Sequence, residues 1–342
     1  MHTKKILIHS AFGLYFVGLP AVALSEPTLD QELMATRVAS PTEMHKAEGA
    51  QADASVQIIG ERSKDKTAVT TTEGSVLANS YSAGGVYKIP NMKLRLGVIG
   101  GVSTETNRSE TKPKQGILGL APTPIKSTDE SMTIHANPMA AFGLTDNVIV
   151  GAGADVVRTK VKSDDDKDAA AQNHVRATVA AAYVLPRAEI GVDFLPQVQA
   201  NKDALGAFAT QEPEEYRLAG RFAVTDALAV GGAFTFDRTS RLQPSEDTNL
   251  KSGDTYTIAP ALEVKASDAF KIRTEVAYTR ADLNKNGATG DFSQTVASAL
   301  MTYHPSEKLS LNGGPILSYG SVKGEEFATT GLGMTLGGRY LF

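Results

Sequence analysis

The chain has 342 residues, no cysteine and no tryptophan, and its formal net charge at pH 7 is −4. Without cysteine it has neither a structural disulfide nor a lipidated cysteine anchor. Acidic and basic residues are interleaved, so no basic patch indicates nucleic-acid binding. Beyond the first residues, no apolar run reaches the roughly 18–20 residues of a transmembrane helix. A transmembrane β-barrel remains open, because only its alternate residues face lipid.

Residues 1–25 are predicted to be a secretory signal peptide. Two lysines precede the apolar stretch 6–24, whose end is rich in small residues. We expect cleavage after Ala23 or Ser25; the alternative is a single retained membrane anchor. Residues 26–54 are polar, and we expect them to form either a loosely ordered periplasmic tail or a plug inside a barrel.

From Gly74 onward one unit repeats: two alternating segments joined by a short turn, followed by a longer polar stretch. Asx, Ser and Pro chemistry marks the short turns, which are Pro90–Asn91, Thr145–Asn147, Pro186–Arg187, Thr225–Asp226, Ser267–Asp268 and Pro305–Glu307. The long connections are predicted at Asn107–Glu130, Ser163–Ala171, Lys202–Pro213, Leu242–Ser252, Asn284–Gly290 and Val322–Glu326. This alternation is typical of an up-and-down meander whose two ends face different compartments.

Within most segments, apolar and polar residues alternate with the period of a β-strand. In 172–185, for example, Val175, Val179 and Tyr183 share one face, while Arg176 and Thr178 share the other. Segments 75–88, 131–144 and 291–304 alternate less cleanly. Aromatic residues fall near both ends of the segments, as in the interfacial girdles of membrane barrels. A soluble β-sandwich would instead place them mid-strand in its core.

The pattern predicts an all-β fold, a transmembrane up-and-down antiparallel β-barrel at 55–342. Thirteen segments are clear from Ser75 to Phe342. Bacterial barrels normally have an even number of strands, so one more strand is needed before Ser75. The segment 54–64, with Val56, Ile58 and Ile59, is the candidate. It brings the number to about fourteen, with twelve strands and a plug as the fallback.

The last segment, from Phe327, alternates to the end of the sequence and finishes with Tyr340 and Phe342 on the apolar face. In this it resembles the closing strand of bacterial outer-membrane β-barrel proteins, which typically ends in Phe. The resemblance implies outer-membrane localisation, contact with outer-membrane lipid, and an assembly signal at Tyr340 and Phe342 that the barrel-assembly machinery reads.

The polar face of the segments is predicted to line the lumen, since a Lys or Arg facing lipid at the midplane costs about 2–4 kcal/mol. The charged residues assigned to it are Lys93, Arg95, Arg176, Glu189, Asp193, Arg217, Arg221, Asp237, Glu263, Lys265, Lys271, Arg273, Glu275 and Arg339. A lumen with charges of both signs suits the passage of small polar solutes. The alternative is that these charges pair with one another and fill the lumen.

The predicted function is therefore a porin-like channel for passive diffusion of small polar solutes or ions. No cofactor or metal is expected, because no metal-ligand spacing such as HExxH occurs. An enzyme is not expected either: the few histidines show no partnered nucleophile. A non-conducting structural or adhesive surface barrel is a further alternative.

Two segments, 138–153 and 222–233, carry strand–turn–strand units around the turns Thr145–Asn147 and Thr225–Asp226. They are similar to units of the fatty-acid transporter family of fourteen-stranded barrels. That resemblance implies transport of hydrophobic compounds and an amino-terminal segment inside the barrel. The charges predicted in the lumen argue against a purely hydrophobic substrate.

Overall fold

The protein was studied as a computed structural model, which describes residues 50–66, 70–113, 125–163, 166–196, 214–238, 250–285, 288–322 and 327–342. The predicted signal peptide, most of segment 26–54 and the long connection 202–213 lie outside these residues. Among the described residues, no helix is long and apolar enough to cross a membrane.

The described residues form fourteen antiparallel strands, as the alternation and the parity argument predicted. They are β1 Ala50–Lys66, β2 Thr70–Lys88, β3 Leu94–Pro113, β4 Ile125–Gly143, β5 Val148–Ser163, β6 Asp166–Val184, β7 Ala188–Leu195, β8 Glu214–Ala223, β9 Leu228–Arg238, β10 Leu250–Ser267, β11 Phe270–Lys285, β12 Ala288–Ser306, β13 Leu309–Val322 and β14 Phe327–Leu341. Each strand pairs with its neighbours in sequence, and β14 pairs with β1 to close the barrel.

The first strand is the one that the sequence indicated most weakly. It begins at Ala50, so the end of the predicted 26–54 segment belongs to the wall. Its partners on both sides are well defined: Ile58 lies opposite Leu336 of β14 and Asn79 of β2. The twelve-stranded alternative is therefore wrong, because β1 supplies the ladder that closes the barrel.

The six predicted short turns all join neighbouring strands. Local polar groups hold them: Thr145 Oγ1 accepts the backbone N–H of Asn147 and of Val148, at 3.2 and 3.0 Å. Asn91 has a φ of 60°, a left-handed conformation that asparagine tolerates better than most residues. We refer to this edge of the barrel as the short-turn end.

Most of the predicted long connections are shorter than expected, because the strands extend into them. β3 continues to Pro113 and β4 begins at Ile125, inside the predicted connection 107–130. Backbone ladders continue here although the side chains are mostly polar, since hydrogen bonding between strands does not require an apolar face. The short strand β7 is an exception, with only eight residues.

Candidate functional site

The two faces of the barrel wall differ sharply in exposure. Val175, Val179, Ile190 and Val192 are 48–59% exposed, so they are not packed between two sheets of a globular core. In a closed barrel the exposed side of the wall is the outside, and the alternate residues point inward. Large exposed apolar side chains occur on all fourteen strands, which gives the barrel an apolar outer surface.

Aromatic side chains mark both ends of this outer surface. Tyr87, Tyr183 and Tyr303 are exposed near the short turns, while Tyr216 and Tyr319 are exposed toward the other end. Phe292 departs from the predicted girdle, because it lies on the inner face of β12 and is buried.

The inner face carries nearly all of the charged residues assigned to it from the sequence. Alternation with the exposed apolar residues places the following on that face: Arg95, Arg176, Glu189, Asp193, Arg217, Arg221, Asp237, Glu263, Lys265, Lys271, Arg273, Glu275 and Arg339. Lys93 differs, since it precedes β3 in a turn, is exposed, and contacts Asp146 with an Nζ–Oδ1 distance of 2.7 Å.

Many of these inner charges pair with one another. Arg176 Nη1 donates to Glu215 Oε2 at 3.1 Å, and Arg217 also donates to Glu215. Arg221 Nη2 lies 2.7 Å from Glu263 Oε1. Buried charges are tolerated when they are paired and hydrogen-bonded. The side chains therefore form a network along the wall rather than a row of solvated charges.

Two further pairs lie elsewhere on the inner face. Arg273 Nη2 is 3.2 Å from Glu275 Oε2 on the same strand, and Arg339 Nε is 3.0 Å from Asp53 Oδ2. The second pair joins β14 to β1, so it stabilises the seam where the barrel closes.

The sequence reasoning missed a set of apolar residues on the inner face. The mid-lumen apolar cluster consists of Ile59, Ala78, Ala259, Ala277, Val296 and Ile316, each near the middle of its strand. The lower apolar cluster, toward the short-turn end, consists of Val86, Ile99, Met139, Ala141, Ile149 and Val184.

The signal for these clusters was present in the sequence. The three segments whose alternation was least clean, 75–88, 131–144 and 291–304, all contribute to them. Val86 comes from the first, Met139 from the second and Val296 from the third. Alternation is weak there because both faces of the strand carry apolar side chains.

A cavity of about 670 Å³ opens at the short-turn end. Its lining includes the inner residues Arg221, Glu263, Lys271 and His304, together with turn residues such as Asp226. Among the described residues, no group of His, Cys, Asp and Glu is arranged to hold a metal ion.

The end of β14 is fixed to β1. The backbone N–H of Phe342 donates to the carbonyl of Ala52 at 2.9 Å, and Tyr340 lies opposite Ala54. The rings of Tyr340 and Phe342 meet edge to face, with centroids 5.1 Å apart, on the exposed side of the wall.

Comparison with known proteins gives a likeness in structure only. No family model and no curated protein matches the sequence. The Ralstonia pickettii toluene transporter TbuX superposes with a TM-score of 0.65 and 12% identity, over 90% of this chain and 94% of that one. The chain has the fold of a toluene transporter.

Two other solved structures agree. The P. putida toluene transporter TodX gives a TM-score of 0.63 at 11% identity, covering 89% of this chain and 92% of that one. A Pseudomonas aeruginosa FadL homologue gives 0.60 at 13%, covering 88% and 92%. The likeness covers most of each chain, and at this low identity it shows the fold alone.

Proposed function

We propose that this protein is an outer-membrane transporter that carries a hydrophobic compound through its barrel. The observation that carries the proposal is the pair of apolar clusters on the inner face, where an aqueous channel would have polar side chains. An apolar path lowers the free energy of an apolar solute by removing its surface from water. The likeness in fold to toluene transporters supports the same conclusion.

The exposed outer surface supports the placement in a membrane. A continuous apolar belt with aromatic side chains at both ends matches the hydrocarbon layer and its two interfaces. The predicted signal peptide and the terminal Phe342 are compatible with export and insertion into the outer membrane. The same properties provide no reason to expect an enzyme or a cofactor.

The porin-like channel remains a second candidate, because charged residues do lie on the inner face. Because these charges pair with one another, they are less suited to line a water-filled channel. Arg176 and Glu215 are both buried, and Arg221 forms an ion pair with Glu263. A porin would show stepwise conductance in planar bilayers, with an ion preference that changes in Arg176→Glu and Arg221→Glu.

Uptake of radiolabelled toluene by cells without their own hydrocarbon transporter tests the proposal. We expect this protein to increase the uptake rate, and Val296→Asn to reduce it by placing an amide in the mid-lumen apolar cluster. Ser298→Asn is the matched control, since Ser298 lies on the same face of β12 but is already polar. Conductance steps without toluene uptake would favour the porin instead.

A further inference from the structure

At mid-height, the inner wall carries an apolar cluster and a group of paired charges on opposite arcs of the barrel. The mid-lumen apolar cluster lies on β10–β13, β1 and β2. The largest group of paired charges lies on β5–β9, the opposite arc of the closed ring. A solute at this level therefore has the mid-lumen apolar cluster on one side and the paired charges on the other.

The paired charges on β5–β9 form one continuous patch. Asp155 of β5 lies opposite Arg176 of β6, and Arg176 bonds Glu215 of β8. Asp193 lies opposite Arg217, and Glu215 lies opposite Asp237. Arg217 interacts electrostatically with Glu215, Asp193 and Asp237. We call these six residues the polar patch.

The polar patch has an excess of negative charge. It contains four carboxylates, Asp155, Asp193, Glu215 and Asp237, against two guanidinium groups, Arg176 and Arg217. With every group ionised, the patch carries two net negative charges. Asp155, Asp193 and Glu215 are buried, so water screens this charge poorly.

Two uncharged polar side chains beside the patch lack partners. Among the described residues, neither Nδ2 nor Oδ1 of Asn137 has a hydrogen-bond partner, and nor does Oγ1 of Thr178. Asn137 is 2% exposed and Thr178 is 1% exposed, so both are almost completely removed from solvent. Buried polar groups without partners are rare in folded proteins, because each one costs stability.

The register places both side chains against the patch. Thr178 lies opposite Gly153 and is on the same face of β6 as Arg176. Asn137 lies beside Asp155, between the pairs Ala136–Val156 and Met139–Gly153. Since both residues are on the inner face of the wall, their free donors and acceptors are positioned to meet a group that enters from the lumen.

We propose that Asn137, Thr178 and the polar patch form a binding site for the polar head of an otherwise apolar substrate. This inference rests on the proposed function. The head is a hydrogen-bond donor, neutral or cationic, as in an alcohol or a protonated amine. A carboxylate is disfavoured by the net negative charge, while the apolar tail lies against the mid-lumen apolar cluster.

Equilibrium dialysis with a matched series tests the site. The full-length protein is placed in lipid nanodiscs, and empty nanodiscs correct for lipid partitioning. The radiolabelled ligands are octane, octan-1-ol, octylamine and octanoate, which share a chain length and differ in the head. We expect octan-1-ol and octylamine to bind roughly tenfold more tightly than octane, from the hydrogen bonds gained. Octanoate should bind more weakly than octylamine.

The double variant Asn137→Leu, Thr178→Val removes the free polar groups with little change in volume. We expect it to abolish the preference for octan-1-ol over octane while octane binding persists. Its thermal stability should be unchanged or higher, since no existing hydrogen bond is lost. Thr178→Val alone, expected to reduce the preference in part, serves if the double variant fails to fold. Thr302→Val is the matched control, a buried inner-face threonine on β12, and it should retain the preference.

The outcomes separate the two proposals. Equal binding of octane and octan-1-ol by the natural sequence overturns the polar-head site but leaves hydrophobic transport intact. Octanoate binding as tightly as octylamine also overturns it. If no octyl compound binds above the empty nanodiscs while toluene uptake is retained, the site alone is overturned; if toluene uptake is absent as well, the transporter proposal fails together with the site.

Discussion

At the scale of single residues, the ion pair between Lys93 and Asp146 shows how a turn is fixed outside the barrel wall. Lys93 Nζ lies 2.7 Å from Asp146 Oδ1, between the β2–β3 and β4–β5 turns. Hydrogen bonding and Coulomb attraction from Lys93 hold the pKa of the Asp146 carboxyl below its usual range. The pair therefore stabilises the folded barrel above the carboxyl's ordinary pKa, and this contribution is lost as the pH falls through the lowered value.

Lys93→Met is expected to raise the pKa of Asp146 toward its ordinary range, because both the hydrogen bond and the positive charge are removed. An NMR pH titration of the Asp146 side chain measures the change. Asp268 is the internal control, since Lys265 lowers the pKa of that carboxyl in the same way. A pKa of Asp146 that does not change, or an equal change at Asp268, would contradict the assignment.

At the scale of the elements, β12 and β13 approach each other closely at a glycine. A Cβ atom added to Gly314 would overlap the carbonyl oxygen of Ala299, which is backbone and cannot rotate away. Gly60, in contrast, has no atom within 4 Å of the corresponding position. Both glycines lie inside β-strands, so what differs between them is the packing around the residue and not the type of secondary structure.

Gly314→Ala is therefore expected to lower the free energy of unfolding by about 1–3 kcal/mol, the usual cost of overpacking. Gly60→Ala should be neutral or slightly stabilising. Urea unfolding of the barrel in lipid vesicles, followed by the gel shift of the folded form, compares the two. Equal stabilities would show that β12 and β13 have room to separate at this point.

The terminal strand yields a prediction about assembly. Phe342 is 70% exposed although its backbone is bonded to β1, so its ring contributes little to packing within the barrel. We propose that the ring is read by the barrel-assembly machinery. Phe342→Ser should then reduce the amount of folded protein in the outer membrane several-fold, measured by heat-modifiable gel mobility.

Phe342→Tyr keeps an aromatic ring and should assemble normally. Refolding of purified Phe342→Ser into vesicles should also be normal, since no machinery is involved there. A refolding defect as large as the defect in cells would assign Phe342 a structural role instead.

At the scale of the whole molecule, the apolar outer surface requires hydrocarbon rather than water around the barrel. Leu336 is 55% exposed and lies opposite Ile58 on β1 and Gly313 on β13. In lipid, Leu336→Arg is expected to reduce the free energy of unfolding by about 2–4 kcal/mol, the cost of Arg near the bilayer midplane. Leu336→Met, which stays apolar, should change it little. An equally small effect of Arg would mean that this face does not meet hydrocarbon.

The lumen is the other feature of the whole molecule that decides function. Apolar clusters and a paired charged patch share the inner wall. Both sequence interpretations therefore have a basis in the structure: the charges that suggested a porin are present, and apolar clusters that suit a hydrophobic substrate lie beside them. The transporter is favoured because several of those charges are buried and bonded to each other.

The sequence alone determined the wall. Strict alternation assigned Val175 and Val179 to the outside and Arg176 to the inside, because the two-residue period of a strand leaves each side chain one choice of face. The Asx, Ser and Pro turns and the parity of strand number then gave the barrel and its fourteen strands. Even the weak first strand followed from the even number of strands that such barrels normally have.

Only the tertiary structure decided which residues meet on the inner wall. The mid-lumen apolar cluster joins Ile59 to Ile316, which are far apart in sequence, and no local pattern indicates that they meet. Arg176 and Glu215 likewise pair across three strands of the wall. Alternation assigns a residue only to the inner or the outer face. Closure of the barrel decides which inner residues lie at the same height and on neighbouring strands. That arrangement decides whether the inner charges remain solvated or pair with one another.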